Sequence, residues 1–295
     1  MSWLSKNNPP RWRKIPKSEY HGAEAFLRER EKFCVSASAR FLLLGEIKGH
    51  VWQLPGPGGE ISALLLHGRR TLFPVFGKPR AEETEPRQQI PGPRFLSRFL
   101  GKVRIHSVQG LRQDAELLED LIQEQGFIAT QRIDYDLMSL DNAPRPEAGK
   151  ESPAGLILRP PLPEDEESLF ALQAAYEQEE VLPSNSVFNP AACRLNLQKL
   201  LSREQVLVAE LDGQVVGKIN TSARSFSRYQ IGGVYVRPDC RGLGIGAKMT
   251  SVFARDILDK SSGITLFVKK RNTAACKVYR KAGFSTLANY RISYY

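Results

Sequence analysis

The sequence of 295 residues has no long apolar run. Its longest apolar runs are short, such as Phe41–Leu44 and Ala63–Leu66, whereas a membrane-spanning helix needs about 20 apolar residues. A secretory signal requires an apolar block after its basic residues. No such block follows the basic residues near the N-terminus of this sequence. Pro9, Pro10 and Pro16 interrupt any amphipathic targeting helix there. We therefore expect no membrane partner and a cytoplasmic location.

Cysteine is also scarce, and its spacing is uninformative for a metal or a disulfide framework. The four cysteines are Cys34, Cys193, Cys240 and Cys276. They form no C-x-x-C pair, and the four histidines do not cluster near them. We therefore expect no metal site, and scattered free thiols fit a reducing compartment.

Positive charge is abundant and unevenly placed. The net charge is +10, yet residues 151–217 carry 4 basic and 11 acidic side chains, while residues 218–295 carry 15 basic and 3 acidic ones. Such a distribution suits either a solvated surface or a site that binds an anion beside a cation. The basic stretch Trp12–Lys14 suggests nucleic acid only weakly. Because no nucleic-acid-binding motif accompanies it, we expect no nucleic-acid partner.

Composition divides the chain into two halves. Asp141–Gly155 contains three prolines, two glycines and no large apolar residue, which is typical of a linker. We therefore predict an N-terminal domain over 1–140, a linker over 141–155 and a C-terminal domain over 156–295.

The apolar periodicity predicts an α/β (α+β) fold. In the C-terminal half the elements follow the order β-α-α-β-β-β-α-β-α-β, and mixed strands and helices indicate a layered sheet. The N-terminal half is less clear. Its predicted elements are a helix at Ser18–Lys32, strands at Glu60–Leu66, Thr71–Phe76 and Val103–Val108, a helix at Leu111–Glu124 and a strand at Phe127–Leu140. The order of these elements partly repeats the order in the C-terminal half, which suggests a duplication.

The segment with the clearest chemistry is a glycine-rich turn between a strand and a helix. An apolar strand ends at Val236, and Arg241–Gly246 (Arg-Gly-Leu-Gly-Ile-Gly) opens a helix. Glycines let backbone N–H groups curl around a phosphate, and the helix N-terminus adds partial positive charge. The spacing matches neither the dinucleotide-binding fingerprint nor the Walker A loop.

This turn resembles the acetyl-CoA signature of the GCN5-related N-acetyltransferase (GNAT) superfamily, Arg/Gln-x-x-Gly-x-Gly/Ala. Arg241, Gly244 and Gly246 meet it, and a second family segment, Asn272-x-x-Ala-x-x-x-Tyr279-x-x-x-Gly-Phe, follows. The resemblance implies tandem GNAT-like domains, each a mixed, mostly antiparallel sheet flanked by helices, with a degenerate N-terminal half. It also implies acetyl-CoA as co-substrate and no metal.

The resemblance assigns roles to particular residues. The strand residues Val234, Tyr235 and Val236 would bind the pantetheine arm. The loop residues Arg241, Gly242, Leu243, Gly244, Ile245, Gly246 and Ala247 would hold the pyrophosphate. Asn272 would bind pantetheine, cap a helix, or both. Tyr279 would be the general acid that protonates the CoA thiolate. Of Lys269, Lys270, Arg271, Lys277, Arg280 and Lys281, we expect at most two to meet phosphates.

The implied reaction transfers an acetyl group to a primary amine, of a small molecule or a protein, by direct attack in a ternary complex. The central strand Gln230–Val236 carries no carboxylate to serve as base. The candidates elsewhere are Glu177, Glu179, Glu180 and Glu210. The alternative is a catalytically silent acyl-CoA-binding sensor or regulatory protein. A monomer and a homodimer both remain open.

In the N-terminal half, Gln89-x-x-Gly92 stands where a pyrophosphate loop would lie. The next residue is Pro93, which removes a donor N–H. We therefore expect that half not to bind acetyl-CoA.

Overall fold

The computed structural model describes residues 11–45, 47–56, 58–77, 96–142, 153–183 and 186–295. The helices are α1 (Tyr20–Glu29), α2 (Val35–Leu42), α3 (Leu96–Leu100), α4 (Arg112–Gln123), α5 (Glu166–Tyr176), α6 (Pro190–Arg203), α7 (Ile245–Leu258) and α8 (Thr273–Lys281). The strands are β1 (Arg13–Lys14), β2 (Gly49–Pro55), β3 (Ile61–Gly68), β4 (Thr71–Phe76), β5 (Ser107–Leu111), β6 (Gln131–Leu140), β7 (Leu156–Arg159), β8 (Val206–Leu211), β9 (Gln214–Arg224), β10 (Arg228–Val236), β11 (Gly263–Lys269) and β12 (Ser285–Tyr294).

The element order predicted for the C-terminal half is confirmed. Asn189 caps α6 by accepting a hydrogen bond from the Ala192 N–H, and Pro190 occupies the first helical position, as the sequence predicted. The N-terminal half differs more from the prediction. The strand predicted at Val103–Val108 lies at Ser107–Leu111, and β1, α2, β2 and α3 were not predicted.

The chain folds as two compact units, residues 1–134 with 289–295, and residues 135–288. In the first unit the strands follow the order β1-β2-β3-β4-β5-β12, and β4 and β5 are parallel. In the second unit the order is β6-β11-β10-β9-β8-β7, and β10 and β11 are parallel. The other pairs described are antiparallel. The predicted fold class, mixed and mostly antiparallel sheets with flanking helices, is confirmed.

The same element order occurs twice along the chain, beginning at β1 and again at β7. The strand that closes the first repeat, β6, pairs with β11 inside the second unit. The strand that closes the second repeat, β12, pairs with β5 inside the first unit. The units therefore differ from the predicted domains 1–140 and 156–295. Linker composition marks where the chain is irregular, but it carries no information about which sheet a strand joins.

Each unit has its own apolar core. In the first, Leu65, Leu118 and Ile122 are fully buried between the sheet and α4. In the second, Ile219 and Met249 are fully buried between the sheet and α7.

The two parallel strands of the second unit separate along their length. Within the described chain, Arg228–Ile231 of β10 pairs with Gly263–Leu266 of β11. Both strands then continue, to Val236 and to Lys269, beyond this pairing. At the point of separation β10 has a β-bulge against β9, between Gly232 and Tyr235. The separation opens a cleft at the carboxyl ends of the two strands.

Candidate active site

The cleft is a cavity of about 610 Å³ inside the second unit. Its wall includes the predicted site residues Val234, Tyr235, Val236, Arg241, Gly242, Gly244, Ile245, Gly246, Ala247, Asn272 and Tyr279. Leu243 lies outside this wall, with 43% of its surface exposed. The structure thus brings eleven of the twelve predicted residues to one place, although the sequence separates them into three segments.

The glycine-rich loop has the backbone that an anion site requires. Gly242 and Gly244 adopt left-handed conformations, with φ of 80° and 83°. Gly244 is the N-cap of α7 and has no side chain with which to cap the first-turn N–H groups. Those N–H groups, at the positive end of the helix dipole, suit a phosphate oxygen. Arg241 Nε donates to the Val236 carbonyl at 3.0 Å, which fixes the guanidinium beside the loop.

An acidic segment at the end of α5 contacts one wall of the cavity. We call Glu177–Val181, which is π-helical, the acidic turn. The Glu179 carboxylate accepts hydrogen bonds from the Tyr235 hydroxyl and, at 2.9 Å, from Arg241 Nη2. Burial raises the pKa of Glu179, but these two hydrogen bonds outweigh it and hold the pKa below its ordinary value. Glu179 is therefore an anion at neutral pH.

The same turn contacts the opposite wall. Asn272 Nδ2 donates to Glu180 Oε1 at 3.0 Å, and Lys269 Nζ lies 3.4 Å from Glu180 Oε2. Asn272 Oδ1 accepts from the Ala275 N–H at 3.0 Å, so Asn272 caps α8 as predicted. Sequence analysis named the carboxylates but missed their pairing with the basic wall. The sequence did contain a signal for this pairing. Three acidic residues lie within one turn, and the last quarter of the chain is strongly basic.

Tyr279 lies on α8, with 7% of its surface exposed. Burial raises the pKa of its phenol, as do the nearby Tyr176, Glu180 and Cys276. The phenol therefore stays protonated at neutral pH and can act as a proton donor. Cys276 is packed in the core, and burial raises the pKa of its thiol, so it is not poised as a nucleophile.

The structure separates the four candidate bases. Glu179 and Glu180 line the cavity. Glu210, on β8, pairs with Arg159 at 2.7 Å. Glu177 accepts from Gln173 Nε2 at 2.9 Å and lies outside the cavity wall.

Three of the six basic residues predicted near the second family segment belong to the cavity wall, in addition to Arg241. They are Lys277, Lys281 and Lys269, which is paired with Glu180. Lys270, outside the wall, lies 3.8 Å from an oxygen of Asp136.

A buried lysine that the sequence analysis missed lies behind the cavity. Lys218, on β9, is fully buried, and its Nζ donates to the Gly233 carbonyl at 3.1 Å and to Asn220 Oδ1 at 3.0 Å. Its Nζ is also 5.1 Å from the centre of the Tyr176 ring. Burial lowers the pKa of Lys218 to about 7. The charge of the nearby Glu177 raises this pKa, but its effect is smaller than that of burial. The signal in the sequence was a lysine between the apolar residues Val215, Val216 and Ile219 of a strand.

Replacing this lysine should change how stability depends on pH. The unfolded chain keeps Lys218 protonated up to its ordinary pKa of 10.5, whereas the folded chain releases the proton near pH 7. Stability rises with pH wherever the unfolded state binds more protons, by about 1.4 kcal/mol per pH unit for one group. Between pH 7.5 and about 9.5 we expect the unfolding free energy of the wild type to rise by roughly this slope relative to Lys218→Met. Urea titrations at several pH values test this, and parallel curves would mean an ordinary lysine pKa.

Part of the chain matches a family of known proteins. The acetyltransferase (GNAT) family profile matches residues 167–284, a segment that contains the glycine-rich loop, Asn272 and Tyr279. Over this segment the chain is similar to the GNAT acetyltransferases. The resemblance predicted from Arg241, Gly244 and Gly246 is thereby confirmed, and the second unit carries the acetyltransferase fold.

A curated relative has a similar sequence. The chain is 30% identical over 164 residues to a mycothiol acetyltransferase of Saccharomonospora viridis. This match covers 51% of the chain and spans about half, 53%, of the relative.

Solved structures share the fold over almost the whole chain. A GCN5-related N-acetyltransferase from Sphaerobacter thermophilus is 19% identical, with a TM-score of 0.57 over 96% of this chain and 94% of that one. A tandem GNAT protein from the clavulanic acid biosynthesis pathway is 12% identical, with a TM-score of 0.56 over 96% of this chain and 97% of that one. These likenesses confirm the tandem GNAT fold.

The first unit has a much smaller space between its own parallel strands. A cavity of about 20 Å³, lined by residues of β4 and β5, lies where the second unit has its cleft. There the buried Asp114 carboxylate accepts a hydrogen bond from the Phe76 N–H at 3.0 Å, and a Cβ on Gly110 would lie 3.0 Å from the Pro74 carbonyl oxygen. The segment Gln89–Arg94, on which the sequence prediction for this half rested, lies outside the described residues.

The described part of the chain offers neither a membrane span nor a cluster of metal ligands. In the part that the structure describes, no helix combines the length and apolarity needed to cross a bilayer. Within that same part, no three or more histidine, cysteine, aspartate or glutamate side chains form a group able to hold a metal ion.

Proposed function

We propose that the chain is an acetyl-CoA-dependent N-acetyltransferase that acts on a primary amine. The observation that carries the proposal is the cavity of about 610 Å³, whose wall combines an anion-binding loop with a buried, protonated tyrosine. The loop suits the pyrophosphate of the donor, and Tyr279 suits its leaving thiolate.

The donor would lie along the open edge of β10. Past Ile231 this strand no longer pairs with β11 in the described chain, so backbone groups of Val234 and Val236 can bind the amides of a pantetheine arm as an added strand would. The glycine-rich loop would hold the pyrophosphate. Lys277 and Lys281 would add positive charge.

The chemistry then follows by direct attack. A neutral amine nitrogen forms a bond to the acetyl carbonyl carbon, and the carbon–sulfur bond breaks. The thiolate takes the phenolic proton of Tyr279, and the nitrogen gives up its proton to a base. Glu179 and Glu180 are the carboxylates of the cavity wall that could accept this proton, directly or through water. The products are an amide and free CoA.

The acceptor is proposed only by class. The curated relative is named a mycothiol acetyltransferase, and that name supports a small acceptor here without identifying it. The acidic turn would attract a cationic amine to the cavity mouth. A primary amine, of a small molecule or a protein, is the acceptor class that fits both observations.

Calorimetric titration with acetyl-CoA, followed by a CoA-release screen over a panel of amines, tests the proposed function. We expect binding, and CoA release with at least one amine class. Absence of acetyl-CoA binding would overturn the proposed donor. Binding without turnover by any amine would favour the alternative, a silent acyl-CoA-binding sensor.

The same titration predicts a stoichiometry. Because the first unit leaves about 20 Å³ between β4 and β5 and its Asp114 already occupies the Phe76 N–H, we expect one acetyl-CoA per chain. A fitted stoichiometry of two would show that the first unit also binds the donor.

A further inference from the structure

The buried amine of Lys218 has no part in the chemistry described above. A Cβ on the preceding residue, Gly217, would lie 3.1 Å from Met249 Cε, so Gly217 faces α7. Successive residues of a strand point to opposite faces of the sheet. Lys218 therefore points to the other face, where its Nζ meets the Tyr176 ring.

Lys218 is hydrogen-bonded to the bulge of β10. Its Nζ donates to the carbonyl of Gly233, which forms the bulge with Val234. The described chain contains no cis peptide bond, and in a trans peptide the C=O and N–H groups point in opposite directions. Since the Gly233 carbonyl points at Lys218, the Val234 N–H of the same peptide points away from it. Gly233 and Val234 both line the cavity.

The fit between lysine and bulge is close. Gly233 has a φ of +59°, and a Cβ there would lie 2.8 Å from Lys218 Nζ and 2.0 Å from Asn220 Oδ1. Only glycine therefore fits against the amine without displacing it. A buried amine costs free energy even when it is hydrogen-bonded. The buried Lys218 amine costs folding free energy and is held closely against a single peptide. A functional role explains this arrangement better than packing alone.

We propose that Lys218 is a positioning residue that fixes and polarises the Gly233–Val234 peptide, so that the Val234 N–H stabilises negative charge developing on the acetyl oxygen. This proposal rests on the proposed function. A positively charged donor on the carbonyl oxygen strengthens the N–H of the same peptide as a donor, and the dry interior strengthens both interactions. Donors aimed at a developing oxyanion are a major source of rate enhancement in acyl transfer.

The groups that face Lys218 come from five elements. They are Tyr176 at the end of α5, Glu177 of the acidic turn, Cys193 of α6 and Asn220 of β9, together with the Gly233 carbonyl of β10. Burial raises the pKa of Cys193 to about 11, so its thiol stays neutral at pH 6 to 9. Burial lowers the pKa of Lys218 to about 7, so its charge changes within that range.

Infrared difference spectroscopy of acetyl-CoA labelled at the acetyl carbonyl tests the proposal without an acceptor. In the wild type we expect the bound carbonyl to absorb at lower frequency than in water, and we expect Lys218→Met to lose this shift. CoA, which has no acetyl group, should bind both proteins with dissociation constants within about twofold. The exposed lysine Lys260 provides the matched control, Lys260→Met, which should keep the full shift.

A second measurement needs no variant. In the wild type the carbonyl shift should weaken from pH 6 to pH 9 as Lys218 loses its proton. A shift that Lys218→Met retains, or that is the same at both pH values, would overturn the proposal. If the wild type binds acetyl-CoA with an unshifted carbonyl, the proposal fails while the donor site stands. If the wild type does not bind acetyl-CoA, the proposed function itself fails.

Discussion

Gly244→Asp is expected to weaken acetyl-CoA binding by at least about 100-fold, which corresponds to about 2.7 kcal/mol. Gly244 caps α7 with a φ of 83°, a left-handed conformation that costs an aspartate side chain free energy. The carboxylate would also lie at the helix end proposed to hold the pyrophosphate, where like charges repel. Calorimetric titration of the wild type and the variant measures the loss.

Two further variants separate the causes. Gly126 is exposed and has a φ of +85° with open space around its missing Cβ, so Gly126→Asp makes the same change away from the cleft and should bind normally. Gly244→Asn keeps the side-chain size without the charge, and asparagine tolerates the left-handed conformation. We expect it to lose about tenfold. Equal losses in Gly244→Asn and Gly244→Asp would contradict the electrostatic explanation.

Tyr279→Phe is expected to lower kcat by about 100-fold, the usual size of a general-acid contribution. The substitution removes the phenolic proton and keeps the ring in its buried position, so the dissociation constant for acetyl-CoA should change by less than about twofold. Steady-state rates of CoA release, with an amine found in the screen, measure the first effect, and calorimetry measures the second.

A buried tyrosine outside the cleft is the control for this change. Tyr229, near the start of β10, is 8% exposed and does not belong to the cavity wall. Tyr229→Phe should therefore leave kcat unchanged. A Tyr279→Phe variant with wild-type kcat would remove Tyr279 from the proposed mechanism.

Local pattern predicted the second unit well because its signals are short-range. The loop from Arg241 to Gly246 and the cap at Asn272 each depend on a few neighbouring residues, and the strands and helices around them follow apolar periodicity. The first unit was predicted less well. Strand β2, Gly49–Pro55, carries polar residues among buried ones, and β5 began four residues after its predicted start.

The missed parts of the site depend on contacts between distant residues. The bond between Glu179 and Arg241 joins positions 62 residues apart, and the fit of Lys218 against Gly233 arises only at the bulge. Neither contact corresponds to a residue spacing that can be recognised in the sequence. Such pairings are fixed by the separation of β10 and β11 and by the helices packed around them, which become visible only in three dimensions.

The pairing of β12 with β5 has a consequence for the order of events during synthesis. The strands β1 to β5 are made first, yet β5 gains its second neighbour only after residues 290–294 have been translated. Until then the growing chain carries an exposed strand edge, the kind of surface on which nascent proteins aggregate. Likewise β6 is made long before its partner β11. The first unit therefore gains its last strand only after all residues of the second unit have been translated.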